Sequence, residues 1–565
     1  MKLTTSANRK LLALATSGVM AAGVVVATGG SSFAAPSAGG NSTELVMESS
    51  PETTITQDFN PFATTQAPFG MGATGLIYEP LIEFDIAAPP KYYPWLATGY
   101  QWSNGGKAIT FTIRSGVKWS DGTPFSAADV VFTFNMLKKY ADVNLSGLQI
   151  KGVSSSGNKV TLTFATAQYA NLQNIAGTGI VPEHIWSSVG DPGKYTDPNP
   201  VGTGPYTLSN FTPEGFTLSA RSDYWQKSMM PHVQKVYFPV YTSNTGALNA
   251  LFSGQIDWTG NFIPGLQKDF VAKSPSTRGY WEAPTSSNAF DVNLNKWPTN
   301  QLPVRQAISA ALNRTLLANE GEAGLENPVL NASGLTLPTY AAWSGPVKNM
   351  TNAPTSQVAK ARSILEKAGY KLKGGYFYKG NQEVTVTFVS PSAYTDYAEV
   401  GSIAAQELKA AGINASFQGL SVNAWNQDVA DGDFSISEHW SNSGLTPYNL
   451  FDNWLDSRLV SGNNATGDYE RLHNTAIDKD LDRLAGSQTV AQQTAALAPI
   501  AKFVAQDLPV IPITTASAWF EYNSQHFVGW PSQKNPYEVG QPSGTNDGPG
   551  AGTDLVVVLH LRPRG

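Results

Sequence analysis

Residues 109–134 read ITFTIRSGVKWSDGTPFSAADVVFTF. The opening ITFTIR alternates Ile, Phe and Ile with Thr, Thr and Arg, the period of a half-buried strand. Ser-Gly, Asp-Gly and Pro124 then mark turns. Ser126 and Asp129 have the spacing of a capping box, which satisfies the free N–H groups at a helix start. Val130, Phe134 and Leu137 share one face of the helix that follows, and Lys138 and Lys139 complement its C-terminal dipole. One short stretch therefore specifies a strand, a turn and a capped helix.

The same grammar extends in both directions. KVTLTFA (159–165), GFTLSAR (215–221) and EVTVTFVS (383–390) read as strands. LPVRQAISAALNRTLLA (302–318) places Val304, Ile308, Ala311 and Leu312 on one stripe and reads as a single helix. TSQVAKARSILEKAGY (355–370) and YAEVGSIAAQELKAAGI (397–413) are helices that end at Gly369 and Gly412, residues suited to a left-handed C-cap. A strand follows each, so the second half of the chain is α/β. The tail, GPGAGTDLVVVLHLRPRG, is expected to be a Gly-rich linker and a short strand over Leu555–Leu561.

At 565 residues, 41% of them apolar, the chain is long enough for several units and too apolar for disorder. With 37 Lys and Arg against 43 Asp and Glu, the formal charge is −6, which gives no footprint for nucleic acid. There is no cysteine, which removes disulfides, thiolate metal sites and Cys nucleophiles, and is incompatible with a lipoprotein anchor. Lys2, Arg9 and Lys10 precede an apolar run that leads to small residues at Ser32 and Ala34. This predicts a secretory signal over residues 1–34, cut near Ala34–Ala35, and an exported protein, periplasmic or at the cell surface. PSAGGNST (36–43) reads as a flexible lead-in.

Motifs for chemistry fail. GMGATG (70–75) matches GxGxxG, but Pro61 and Pro68 precede it and Pro80 follows, where a dinucleotide site needs a strand and a helix. The six histidines show no metal-ligand spacing, and neither HExxH, GxSxG nor a P-loop occurs. No metal and no cofactor is expected. A glycosidase's two carboxylates can lie far apart in sequence, so an extracellular glycosidase remains the alternative from another class. The balance favours binding over catalysis, and the chain is read as not an enzyme.

Eight blocks in order carry a resemblance. They are LIYEPLIEFD (76–85), the stretch 109–134, NPVGTGPYTLSNF (199–211), SARSDYW (219–225), LFSGQIDWTG (251–260), FDVNLNKWPTNQLPVRQAISAALNR (290–314), ARSILEKAGY (361–370) and AQDLPVIPI (505–513). Together they resemble the family 5 extracellular solute-binding proteins of ABC importers, of the oligopeptide/dipeptide-binding type. Residue by residue the blocks read mainly as scaffold, with Trp119, Trp225 and Trp297 as packing.

The resemblance implies an α/β, two-lobed periplasmic-binding-protein-like fold of type II, with a hinge, a central cleft and an extra subdomain in lobe I. By that analogy, lobe I comprises residues 41–80, 201–285 and 512–565, the extra subdomain 81–200, and lobe II 286–511, with the return near Pro512. The implied partners are a small oligomeric ligand and the ABC permease subunits, and the chain is expected to be a monomer.

The stretch EHWSNSGLTPYNLF (438–451) bears on the ligand. Peptide-binding members carry an aspartate shortly after this Trp, against the ligand's α-amino group. Here the positions after Trp440 are Ser441, Asn442, Ser443 and Gly444, and no carboxylate comes before Asp452. A ring face with neutral hydrogen-bonding groups suits a neutral oligosaccharide. FVGWP…NPY within 518–538 resembles the oligosaccharide-binding, cellobiose-type branch of the family. The candidate ligand-binding residues are Trp440, Ser441, Asn442, Ser443, Tyr448, Asn449 and Trp519, with Asn60, Trp258 and Asn261 added from position. Trp530 and Tyr537 read as packing. The alternative within the fold is an oligopeptide, its amine paired by Asp257, Asp291 or Glu438.

Overall fold

The computed structural model describes residues 43–49, 51–52, 55–63, 66–87, 91–543 and 553–565. The expected signal segment, nearly all of the lead-in and the Gly-rich linker lie outside the described residues.

Two large sheets organise the molecule. The first has seven strands in the order Arg278–Tyr280, Glu521–Asn523, Trp258–Thr259, Glu44–Glu48, Lys235–Pro239, Gly215–Ala220 and Tyr206–Thr212. The second has five, in the order Asn414–Leu420, Thr385–Pro391, Ile436–Trp440, Ala283–Val292 and Val510–Ala518. A separate antiparallel sheet joins Ala97–Ser103, Ala108–Ile113, Lys159–Phe164 and Ile150–Ser156.

The stretch 109–134 folds as its pattern dictates. The strand Ala108–Ile113 buries Ile109, Phe111 and Ile113. Ser126 caps the helix Ala127–Lys139, and the reciprocal bond from the Ser126 N–H to Asp129 completes the capping box. Between them Trp119 is buried edge-on against Phe125, with ring centroids 5.7 Å apart. Trp225 and Trp297 also pack, on Trp95 and Tyr370 respectively.

Arg221 explains why the blocks KWSDG, GTGPY and SARSDYW occur together. Its buried guanidinium donates to the carbonyls of Gly202, Thr203 and Gly204 at 3.1–3.2 Å and to Trp119 O at 3.2 Å. Asp223 supplies the counter-charge, 3.1 Å from Arg221 Nε. Gly202 and Gly204 press against the carbonyls of Leu76 and Ile77, where a Cβ would collide. Side-chain bonds to backbone thus tie three distant segments into one scaffold.

In the five-stranded sheet, Thr385–Pro391 and Asn414–Leu420 pair in parallel, and the helix Thr395–Ala411 connects them. Gly412, at φ 91°, ends that helix in the left-handed conformation. Gly369 takes φ 81° just after the helix Val358–Lys367.

Two expectations are corrected. The 302–318 helix stops at Ala311, because Leu312 is extended (ψ 135°) and Asn313 caps a new short turn by accepting from Leu316 N. The apolar tail is helical over Thr553–His560, and Leu555–Leu559 are all buried. A short apolar run buried on every side has no periodicity to separate strand from helix.

The strands Ala283–Val292 and Val510–Ala518 pair antiparallel from Ala283↔Ala518 to Asp291↔Val510. Two residues beyond each end, the chain enters Arg278–Tyr280 and Glu521–Asn523, which pair in the seven-stranded sheet. This two-stranded crossing joins the large sheets, and register shifts at Pro284/Ser286 and Asn288/Ala289 interrupt its ladder.

Candidate functional site

A cavity of about 410 Å³ collects residues from 49–83, 137–179, 244–262, 393–469 and 519–554. Its size is that of a small-ligand site. Trp440, Asn442, Trp519 and Asn261 line it. Trp440 ends the strand Ile436–Trp440 and is half-buried. Its ring leans on His439, with centroids 4.3 Å apart, and on Trp425 at 5.8 Å. Trp519 follows the strand Val510–Ala518 and meets Phe262 edge-to-face at 5.8 Å. Both rings are held by neighbours while half-exposed toward the cavity.

The other candidates sit behind the wall. Ser441 Oγ donates to Ser287 O at 3.0 Å and accepts from Ser287 N. Ser443 is buried. Asn60 Nδ2 donates to the carbonyls of Pro192 and Tyr195 at 2.8 and 2.7 Å, and its Oδ1 accepts from Phe62 N. Trp258 is fully buried against Phe520 and Trp530, and its Nε1 donates to Gly540 O at 2.7 Å. These groups are spent on structure.

Tyr448 and Asn449 act at one remove. Both belong to the buried helix Tyr448–Leu455. Asn449 Nδ2 donates to Asn174 Oδ1 at 2.9 Å, and Tyr448 bonds to Asp452; Asn174 and Asp452 are the cavity-lining members. Trp530 and Tyr537 are packing residues, stacked on Tyr522 and His560.

Sequence reasoning missed the carboxyls. Glu52, Glu83, Asp396, Asp452 and Asp554 line the cavity, and among the described lining residues there is no Lys or Arg. Asp452 was visible one turn beyond Tyr448, since residues four apart share a helix face. Burial pushes Glu52 up to about 8, Asp554 to about 7 and Asp396 to about 6, and raises Glu83 and Asp452 well above the usual carboxylate range. His439 also lines the cavity, and burial lowers it to about 4, so its ring is neutral.

The proposed amine partners lie elsewhere. Asp257 pairs with His526 at 2.7 Å and accepts from Val46 N. Asp291 is buried beside Asp468 and Arg471. Glu438 is buried near Asp396 and Glu326 and does not line the cavity. GMGATG holds no dinucleotide fold; it runs from the end of the short helix Ala67–Gly70 into the short helix Ala73–Ile77, with Gly72 left-handed between them. Among the described residues no group of three His, Cys, Asp or Glu is placed to hold a metal, and no helix is long and apolar enough to cross a membrane.

Residues 91–461 match the middle region of the bacterial extracellular solute-binding proteins, family 5. The chain belongs to that family. It is a substrate-binding protein of an ABC importer, with the family's two-lobed α/β fold. The nickel-binding periplasmic protein of Escherichia coli K12 is 24% identical over 477 residues, covering 81% of this chain and 87% of its own. The periplasmic oligopeptide-binding protein OppA of the same strain is 24% identical over 473 residues, covering 77% and 81%. Among solved structures, a mannohexaose-bound periplasmic oligopeptide-binding protein of Thermotoga maritima superposes with a TM-score of 0.85 at 24% identity, over 93% of this chain and 99% of that one. AppA of Bacillus subtilis in complex with a nonapeptide gives 0.75 at 19% identity, over 92% and 99%.

Proposed function

We propose that the ligand is a neutral oligosaccharide, captured between the lobes and delivered to the permease. One observation carries this reading. The cavity sets the partly buried rings of Trp440 and Trp519 among amide side chains such as Asn426 and Asn442, with no Lys or Arg among the described lining residues. Sugar C–H faces lie on aromatic rings, and hydroxyls need neutral donors and acceptors. A free peptide also brings a carboxylate, which would be buried beside carboxyls with no cation to pair it, at a cost of several kcal/mol. The mannohexaose carried by the Thermotoga protein supports a sugar on this fold.

In this reading residues 41–80, 201–285 and 512–565 form lobe I, with 81–200 as its extra subdomain, and 286–511 form lobe II. The chain acts as a monomer that binds without turnover. A second reading rests on Asp396 and Asp452, buried carboxyls that line the cavity and could ionise against a peptide's amine.

A thermal-shift panel of cello-, xylo- and manno-oligosaccharides against di- to pentapeptides tests the assignment. Stabilisation by the sugars is expected, and stabilisation by peptides alone contradicts it. Shortened sugars after prolonged incubation would show a glycosidase.

A further inference from the structure

The sequence 70–75 left a glycine pattern without a purpose, and the cavity supplies one. Gly70, Gly72 and Gly75 line it together with Glu52, Glu83 and Asp554. A Cβ at Gly75 would lie 2.7 Å from Asp554 Oδ2 and 2.9 Å from Oδ1. Gly72, at φ 82°, could gain a Cβ only by striking Pro542 O, with Asp554 Oδ2 at 3.2 Å. The glycines therefore make room for a carboxyl at the cavity wall.

Buried carboxyl oxygens without a partner also occur away from the cavity, as at Glu322 and Glu438, but Glu83 and Asp554 combine that state with a place on the lining, unlike the fully engaged Glu79. Glu79, four residues before Glu83, is buried and accepts from Trp95 Nε1, Tyr224 OH and Trp225 Nε1 at 2.7–2.8 Å. Glu83 and Asp554 are each 2% exposed, and Glu83 Oε2 and Asp554 Oδ2 have no partner. Asp554 Oδ1 accepts from Leu555 N at 2.8 Å. A buried polar atom without a partner is costly and calls for an explanation, and at a cavity wall a hydroxyl of a bound group can supply the missing partner.

We propose that Glu83 and Asp554 form a specificity-determining subsite that holds the hydroxyl groups of an uncharged sugar unit and excludes uronic-acid and sulfated units. This rests on the oligosaccharide reading above. Each carboxylic acid, held neutral by its buried setting, offers one O–H donor and spare acceptor oxygens, the complement of a sugar hydroxyl. An anionic unit would bring a charge into a wall with no Lys or Arg among its described residues, a placement that burial makes expensive.

Calorimetry on the whole chain at pH 6 tests this with two probes of similar length, mannohexaose and a hexagalacturonate. The unmodified chain is expected to bind the neutral probe at least about 30-fold more tightly, corresponding to about 2 kcal/mol. Glu83→Gln and Asp554→Asn, checked for folding by circular dichroism, should each weaken the neutral probe about tenfold, the worth of a hydrogen bond to a buried group. Equal binding of the two probes by the unmodified chain overturns the exclusion and needs no variant. Unchanged affinity for mannohexaose in both folded variants overturns the subsite while leaving the oligosaccharide reading intact. Binding of neither probe by a chain that binds peptides removes both.

Discussion

The carboxyls of Glu282 and Glu521 meet at the two-stranded crossing, Glu282 beside the Phe520 N–H and Glu521 beside that of Asn261. Glu326 adds negative charge beside Glu282, and Glu48 beside Glu521. Two buried carboxyls in contact stay together by holding a proton between them. The crossing is therefore expected to depend on protonation.

Stability should fall as pH rises. A carboxyl whose folded pKa exceeds its unfolded value, about 4.3 for Glu, stabilises the fold fully below the unfolded value. That contribution is lost as pH climbs through the folded one. Burial pushes Glu48 up to about 7 and Glu52 and Glu326 to about 8, and raises Glu282 and Glu521 well above the usual range. The window thus runs from about pH 4.5 to 8. Scanning calorimetry should give a Tm lower by several degrees at pH 8 than at pH 5; a higher Tm at pH 8 contradicts the proton-holding crossing.

Glu521→Gln tests the pair itself. The amide donates to Glu282 without needing a shared proton. Urea unfolding should show the variant about 1–2 kcal/mol more stable than the parent at pH 8, with the difference shrinking at pH 5. A variant less stable at both pH values is the opposing result.

Arg221→Met should destabilise the fold by about 3 kcal/mol or more, because several carbonyls and Asp223 lose their buried partner. Affinity per folded molecule should not change, since Arg221 does not line the cavity. Denaturant melts and calorimetry separate these effects.

The two tryptophans once grouped together should diverge. Trp440→Ala is expected to weaken ligand at least about tenfold with little loss of stability, because on the proposed reading its partly buried ring is the contact surface. Trp258→Ala empties a fully buried site and should cost about 3–5 kcal/mol of stability. Identical profiles for the two variants would contradict the placement of Trp258 behind the wall.

The scaffold was legible because its signals are local. The Ser126–Asp129 box, the ITFTIR alternation and the glycines at 369 and 412 each act over a few residues, and each formed as read. The 302–318 break was less legible, since Asn313 both fits a helix pattern and can cap a new turn. The site was legible in part. Trp440 and Asn442 reach the cavity while the intervening Ser441 turns back to Ser287, an alternation that extended chain imposes. Asn60 and Trp258 were chosen by position, which cannot tell whether their polar atoms are already used within the fold. Of the acidic wall only Asp452 lay beside a stretch read as a site, because Glu52, Glu83, Asp396 and Asp554 are scattered in sequence and converge only through the fold.

A crystal structure of the chain grown with an equimolar mixture of mannohexaose and a tetrapeptide tests the central claim most directly. The account predicts a sugar ring lying on Trp440 or Trp519, its hydroxyls bonded to neighbouring amides and carboxyls. Density for the peptide instead, with its amine ion-paired to Asp396 or Asp452, would contradict it.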